Sequence, residues 1–245
     1  MKADPALQRR LLDLAEVDAE LTRLAHRRRT LPEHDQLIEA EKAVRTAKDK
    51  LVEVETGAGD LDRDIRRIER DVEGVRARTE RDNQMLGGAG IGAKQATDLQ
   101  HELETLARRQ GILEDEQLEI MEQREALGVD LEHSRGELAA AEQKLLEITE
   151  RRDSAIADID ATEGGRRRAR EEVLPALPVD LLTAYEKRRE QRGVGAAPLL
   201  QRRCQACRLE LDRTAISELR GAPADDVVHC EECGVILVRT KESGL

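Results

Sequence analysis

The strongest constraint on how this chain can fold is an apolar repeat with alternating steps of three and four residues. The first series has twelve apolar positions and no polar member: Leu37, Ala40, Val44, Ala47, Leu51, Val54, Ala58, Leu61, Ile65, Ile68, Val72 and Val75. A second series runs from Leu99 to Ile159, with polar members at Gln110, Gln117, Arg124, Ser134 and Arg152. A sustained repeat of this kind is typical of helices that supercoil, with side chains of one helix packed between those of its neighbour.

The composition favours helices that meet along a narrow seam. Tyr185 is the only aromatic residue, although 39% of the chain is hydrophobic and 38% is charged. Aromatic side chains normally supply much of the buried area of a globular core. A chain that lacks them and is rich in Ala, Glu, Leu and Arg has the composition of a coiled coil.

A glycine-rich segment, NQMLGGAGIGAK at residues 83–94, separates the two series. The flanking segments 6–82 and 95–171 are 77 residues each, so one can fold back along the other. We therefore predict an antiparallel hairpin with its turn near 83–94. The alternative is that the helices associate between chains. A phosphate-binding loop would need Gly-Lys-Ser/Thr after a strand, but Gln95 follows Lys94 and no strand precedes the glycines.

The first helical segment is expected to break near residues 30–33. An earlier apolar stripe is out of phase with the first series and consists of Leu7, Leu11, Leu14, Leu21 and Ala25. At the junction, Thr30 and Glu33 have the spacing of a capping box, and Pro32 suits a first helical turn. One helix should end here and another should begin.

The four cysteines form two Cys-Xaa-Xaa-Cys pairs, CQAC at 204–207 and CEEC at 230–233. Two such pairs can present four thiolates to tetrahedral Zn²⁺. We predict one structural zinc ion held by Cys204, Cys207, Cys230 and Cys233, with Gly234 permitting the turn after the second pair. Redox dithiols and metal-free thiols are the alternatives. Short strands are expected in RLEL (208–211), DVVH (226–229) and VILVR (235–239), with a helix in DRTAISELRG (212–221).

The basic residues cluster between the helices and the cysteines, although the net charge of the whole chain is −11. We use the term basic neck for Arg166, Arg167, Arg168, Lys187, Arg188, Arg189, Arg192, Arg202 and Arg203. These residues are candidates for nucleic-acid binding through phosphate contacts. The favoured interpretation is that they lie on solvated helix faces and pair with nearby glutamates.

The chain resembles a bacterial family with a coiled-coil helical hairpin and a C-terminal C4-type zinc ribbon. The resemblance covers essentially the whole length and is most specific in LLTAYEKRREQRGVGAAPLLQRRCQACRLEL and VVHCEECGVILVR, with support from LQHELETLARRQGILEDEQLEIMEQREAL. It implies zinc ligands at the four cysteines and no enzymatic activity. It also implies a role in nucleic-acid binding, or in flagellar or secretion-system assembly as a chaperone-like adaptor.

The expected fold is mainly α. It consists of a long antiparallel coiled-coil hairpin (1–172), a neck with a short helix (173–200) and a small β-rich C4 zinc ribbon (201–245). The expected function is a non-enzymatic adaptor or chaperone-like scaffold for a protein partner. The alternatives are a nucleic-acid-binding regulator that uses the basic neck, and a thiol-redox enzyme. No small-molecule substrate or membrane contact is expected, since no segment has the ~18 apolar residues of a span. The N-terminus lacks an apolar leader, so a reducing cytoplasm is the expected location.

Overall fold

The computed structural model describes residues 1–88 and 90–245, and it confirms the predicted fold class of a long helical hairpin followed by a small strand-containing ribbon. The elements in chain order are α1 (Pro5–Arg29), α2 (Pro32–Leu86), α3 (Ala93–Val173), a 3₁₀ turn (Leu174–Ala176), α4 (Val179–Arg192), β1 (Ala196–Leu200), β2 (Arg203–Cys204), α5 (Arg213–Gly221), β3 (Val228–His229) and β4 (Ile236–Val238). None of these helices, within the residues described, is both long and apolar enough to cross a bilayer.

The chain divides into two compact units. We call residues 35–150 the hairpin unit, since they hold most of α2 and α3. We call residues 1–34 together with 151–245 the ribbon unit, which contains α1, the end of α3 and every later element.

The hairpin unit is held by the predicted seam. Ile68 and Val72 of α2 form a buried cluster with Leu113 of α3. At another point Leu127 packs so closely on Gly57 that an added Cβ would lie 3.2 Å from its Cδ2 atom. Small and large residues therefore face each other across the seam, as side-chain packing between two helices requires.

Ion pairs across the hairpin unit follow its antiparallel direction. Their partners lie progressively further apart in sequence: Arg78 with Glu102, Arg76 with Glu114, Asp62 with Arg124, and Lys50 with Glu137. One of these pairs explains why the second apolar series has a polar member at Arg124. The Nε atom of Arg124 donates to the Asp62 carboxylate at 2.8 Å. Solvent screens such exposed pairs and they stabilise the fold little, so they set the register more than the stability.

The turn of the hairpin is shorter than the predicted 83–94. The helix α2 continues to Leu86 and α3 begins at Ala93, so the helical segments include residues at both ends of the predicted turn. Ala89, in the middle of that prediction, lies outside the described residues.

The predicted break falls between Arg29 and Pro32, but the capping-box prediction is wrong. Thr30 closes α1 instead of starting α2, because its hydroxyl donates to the carbonyl of His26 at 3.0 Å. The side chain is thereby used by the preceding helix, and Leu31 is buried directly before α2.

The ribbon unit is built on a four-stranded sheet with the order β2-β1-β4-β3. The central pair, β1 and β4, is parallel, and both outer pairs are antiparallel. Because β1 begins at Ala196, the sheet includes part of the segment expected to be a neck. The predicted strand RLEL is wrong, since the chain turns there at Arg208 and Glu210 makes only an isolated bridge to Arg203.

Both faces of this sheet are buried, and successive residues of β4 point to opposite sides. Ile236 and Val238 contact one core, which also contains Leu11 and Leu14 of α1 and Tyr185 of α4. The intervening Leu237 contacts the other core, which contains Ile216 of α5 and two of the cysteines. The sheet therefore lies between α1 and α4 on one side and α5 with the cysteines on the other.

Candidate metal centre and basic neck

The four cysteine sulfurs lie together, all within 4.8 Å of one another. The Sγ atoms of Cys204 and Cys233 are 3.8 Å apart, and those of Cys207 and Cys230 are 3.9 Å apart. Four sulfurs at about 2.3 Å from a tetrahedral Zn²⁺ would be ~3.8 Å from each other. The donor set and its spacing therefore fit zinc.

The two cysteine pairs have matching backbone turns. The carbonyl of Cys204 accepts from the Arg208 amide and that of Cys230 from the Gly234 amide, each at 2.7 Å. The residue after each pair has a left-handed backbone, with φ of 62° at Arg208 and 73° at Gly234. Glycine adopts this conformation freely, whereas an arginine pays roughly 1 kcal/mol for it. The sequence indicated the second turn through its glycine but gave no such signal for the first.

Burial and hydrogen bonding together set the pKa values of the thiols. Cys204 and Cys230 are buried, while Cys207 and Cys233 are partly exposed. Burial raises the pKa of Cys204 to about 12, so the free thiol keeps its proton at neutral pH. Burial also opposes ionisation of Cys207, but hydrogen bonds from the Leu209 amide and the neighbouring thiols outweigh it and lower its pKa.

Zinc would hold all four sulfurs as thiolates and join the two turns. Its binding free energy would therefore stabilise the fold. The four sulfurs would fill all four positions of a tetrahedral ion, which fits a structural site.

The residues of the basic neck lie in three places within the ribbon unit. Arg166, Arg167 and Arg168 are near the end of α3, those at 187–192 are on α4, and Arg202 and Arg203 are at the turn into β2. Four form ion pairs with carboxylates: Arg166 with Glu20, Arg167 with Glu163, Arg189 with Asp18 and Glu186, and Arg203 with Glu210. These pairs compensate much of the positive charge locally.

The other neck residues have different surroundings. Arg188 lies against the second cysteine turn, where its Nη1 would be 3.6 Å from a Cβ on Gly234. Arg202 donates to the Gly244 carbonyl at 3.2 Å. Arg168, Lys187 and Arg192 are exposed and form no ion pair with a described residue.

Asp18 is an important residue that sequence reasoning missed. Its buried carboxylate accepts from Tyr185 Oη and from Arg170 Nε, both at 2.8 Å, and forms an ion pair with Arg189 at 3.2 Å. These contacts join α1, α3 and α4 and bring the two arginine-rich helical segments together. A signal was present, since Asp18 follows Leu11 and Leu14 at helical spacing on the apolar face of α1.

A helical hairpin joined to a four-cysteine ribbon defines a class of coiled-coil zinc-ribbon proteins. Residues 14–193 match the CT398-like coiled coil hairpin domain, and residues 203–237 match the C4-type zinc ribbon domain. The chain belongs to the CT398-like coiled-coil hairpin family. The resemblance inferred from the sequence is thereby confirmed for both domains.

Similar proteins occur in several bacteria. Rv2229c of Mycobacterium tuberculosis is 40% identical over 246 residues, which cover 98% of both chains. A solved structure from Mycobacterium smegmatis has a TM-score of 0.88 with 41% identity, covering 98% of this chain and 100% of the other. CT398 of Chlamydia trachomatis has a TM-score of 0.68 at 18% identity, covering 96% and 98%, and this likeness shows the fold alone.

Proposed function

We propose that this protein is a non-enzymatic, cytoplasmic adaptor that binds other proteins. The observation that carries the proposal is the set of large aliphatic side chains that the hairpin unit exposes away from its seam. They are between 47% and 70% exposed and comprise Ile38, Val52, Met85, Ile112, Leu118, Met121, Val129 and Leu146.

The position of these side chains matters more than their number. Scattered apolar residues are normal on protein surfaces, but groups of them along one element are typical of interaction sites. The seam is already occupied, since Ile68, Val72 and Leu113 fill it. The exposed surface of these side chains is therefore not needed to fill the seam, and a partner could bind it.

The ribbon unit suits this role because it offers a stable surface for contacts with a partner. Two apolar cores and the Asp18 interactions hold segments from both ends of the chain in one unit, and zinc would join the two cysteine turns within it. The cysteines are committed to a closed tetrahedral set, which suits structure rather than redox chemistry. Stoichiometric zinc retained under reducing conditions would support this assignment, whereas zinc-free protein with a labile dithiol would support a redox enzyme.

Photo-cross-linking in bacterial cells tests the adaptor proposal. A photoreactive amino acid is placed at Val52 or Leu146, with the exposed polar residue Glu73 as the matched position. We expect discrete protein adducts at the two aliphatic positions that persist after nuclease treatment. Equal labelling at Glu73, or adducts that disappear with nuclease, would contradict the proposal.

A second candidate function is nucleic-acid binding through the basic neck. It is favoured by Arg168, Lys187 and Arg192, which are exposed without an ion pair to a described residue. Binding of zinc-loaded protein to single-stranded RNA and duplex DNA should be measured across a salt series. The slope for a single strand is about −0.7 per neutralised phosphate. A salt slope that corresponds to several neutralised phosphates, and that is lost when Lys187 and Arg192 are replaced by glutamate, would support this function. The absence of binding at low salt would exclude it.

A further inference from the structure

The helix α3 has a second line of residues on the side opposite its seam. Leu118, Glu122, Glu125 and Val129 are spaced by four, three and four residues, so they lie along one side of the helix. We call these four residues the outer row. Leu118 is 60% exposed and Val129 is 70% exposed, whereas the seam residue Leu113 is only 2% exposed.

The outer row has the form of an unoccupied helix-packing surface. Its two aliphatic side chains are eleven residues apart, which corresponds to ~16 Å along the helix axis. Met121, 47% exposed, lies beside the row and widens its apolar part. A helix that packs against α3 would contact such a row in the way that α2 contacts the seam.

The surroundings of the outer row are strongly acidic. Residues 114–132 contain eight Asp or Glu and one basic residue, Arg124. Arg124 is held by Asp62 in the seam, so it does not compensate the outer face. The acidic residues of this stretch that form no ion pair with any described residue are Asp115, Glu116, Glu119, Glu122, Glu125 and Asp130.

We propose that the outer row binds a basic amphipathic helix of a partner protein. Aliphatic side chains of that helix would pack on Leu118 and Val129, and Lys or Arg between them on the same face would pair with Glu122 and Glu125. The proposal rests on the adaptor function and names its partner class.

Charge decides between this occupant and the others. In a symmetric dimer through the outer row, two copies would place Glu122 and Glu125 against the same carboxylates, which is repulsive. Nucleic acids and anionic membrane surfaces carry the same sign of charge as the row, so they are poor ligands for it. A basic helix satisfies both the apolar and the acidic parts.

A direct test uses a synthetic peptide of about five helical turns. The peptide has two leucines eleven residues apart on one face of its helix, lysines at the two positions between them on that face, and a fluorescent label. A scrambled peptide of the same composition does not place these leucines and lysines on one face. Binding to zinc-loaded, full-length protein is measured by fluorescence anisotropy at several salt concentrations.

Three double variants separate the contributions. Leu118→Ser with Val129→Ser removes the apolar contacts and should weaken binding by about tenfold or more. Glu122→Gln with Glu125→Gln should weaken binding and reduce its dependence on salt.

The matched control is Val179→Ser with Leu209→Ser in the ribbon unit, where the side chains are 78% and 51% exposed. It should bind within about twofold of the original protein. All of these positions are exposed, so circular dichroism should show unchanged helicity.

The outcomes are decisive for the outer row. Equal binding by the row variants, or equal binding of the scrambled peptide, would overturn the proposal. Self-association in sedimentation that the Leu118 and Val129 substitutions abolish would assign the row to a second copy of the chain instead. If the row variants have no effect while cross-links at Val52 persist, the adaptor function stands and only the outer row fails.

Discussion

Replacing Arg239 with alanine should strongly destabilise the ribbon unit. This residue follows β4, and its guanidinium donates hydrogen bonds to five backbone carbonyls at the end of α5 and in the following loop. The acceptors are Leu219, Ala222, Pro223, Ala224 and Asp226, at 3.1, 2.7, 2.6, 3.3 and 2.8 Å.

The contacts around this loop set the size of the effect. Hydrogen bonds from a charged donor contribute about 1.5–3 kcal/mol each. Only the three shortest, to Ala222, Pro223 and Asp226, have distances of 2.8 Å or less. They share one partly exposed side chain and are not additive. We therefore expect Arg239→Ala to lower the free energy of unfolding by about 3 kcal/mol, a large part of the stability of a small domain.

The same loop anchors the start of the chain, which provides a local readout. The Ala3 amide donates to the Asp225 carbonyl at 2.7 Å, and the Val227 amide donates to the Met1 carbonyl at 2.9 Å. Loss of Arg239 should therefore accelerate hydrogen exchange at Ala3 and Val227.

The assay can monitor the ribbon unit by itself. Tyr185, the only aromatic residue, is fully buried there, so tyrosine fluorescence during urea unfolding reports on that unit. The matched control is Arg220→Ala on α5, an exposed arginine without an ion pair to a described residue. Arg239→Lys should recover only a minor part of the loss, because one ammonium cannot reach all of the carbonyls.

A result below about 1 kcal/mol for Arg239→Ala, or equal effects of the Arg239 and Arg220 substitutions, would refute this reasoning. The carbonyls would then be satisfied by water as well as they are by the guanidinium.

Three further predictions concern the metal centre and the buried tyrosine. Cys230→Ser should abolish stoichiometric zinc binding, measured with a chromophoric chelator, while helical circular dichroism changes little; a large loss of helicity would contradict this. Arg208→Gly should stabilise the zinc-loaded protein by about 1 kcal/mol, since glycine accepts the left-handed backbone, and a lower thermal midpoint would contradict it. Burial, with the Asp18 carboxylate, raises the pKa of Tyr185. Its neutral form therefore stabilises the fold fully below the unfolded pKa of ~10, and this stability is lost as pH rises above that value. Ultraviolet titration should detect tyrosinate only with unfolding, and ionisation near pH 10 in the folded protein would contradict the prediction.

The sequence predicted those features that depend on periodic or chemically distinctive residues. The seam followed from the spacing of aliphatic residues such as Ile68 and Leu113, and the zinc site followed from two cysteine pairs. Both signals are local or repetitive, so one sequence is sufficient to detect them.

Features that depend on distant segments were not predictable in the same way. The parallel pairing of β1 with β4 joins segments about 40 residues apart, and β1 contains Pro198, which argues against a central strand. The five acceptors of Arg239 become neighbours only after α5 and β4 have packed. Asp18 was visible as a polar residue on an apolar face, but its partners on α3 and α4 were not.

The position of β4 has a consequence for how zinc acts in this protein. Val235 and Leu237 contact the core that contains Cys204 and Cys230, while Ile236 and Val238 contact the core around Tyr185. A shift of β4 by one residue would reverse these faces, so one strand fixes both cores at once. Binding of zinc at Cys230, close before β4, therefore favours the register that also packs α1 and α4. For this reason the zinc ribbon is better understood as one layer of the ribbon unit than as an appended domain.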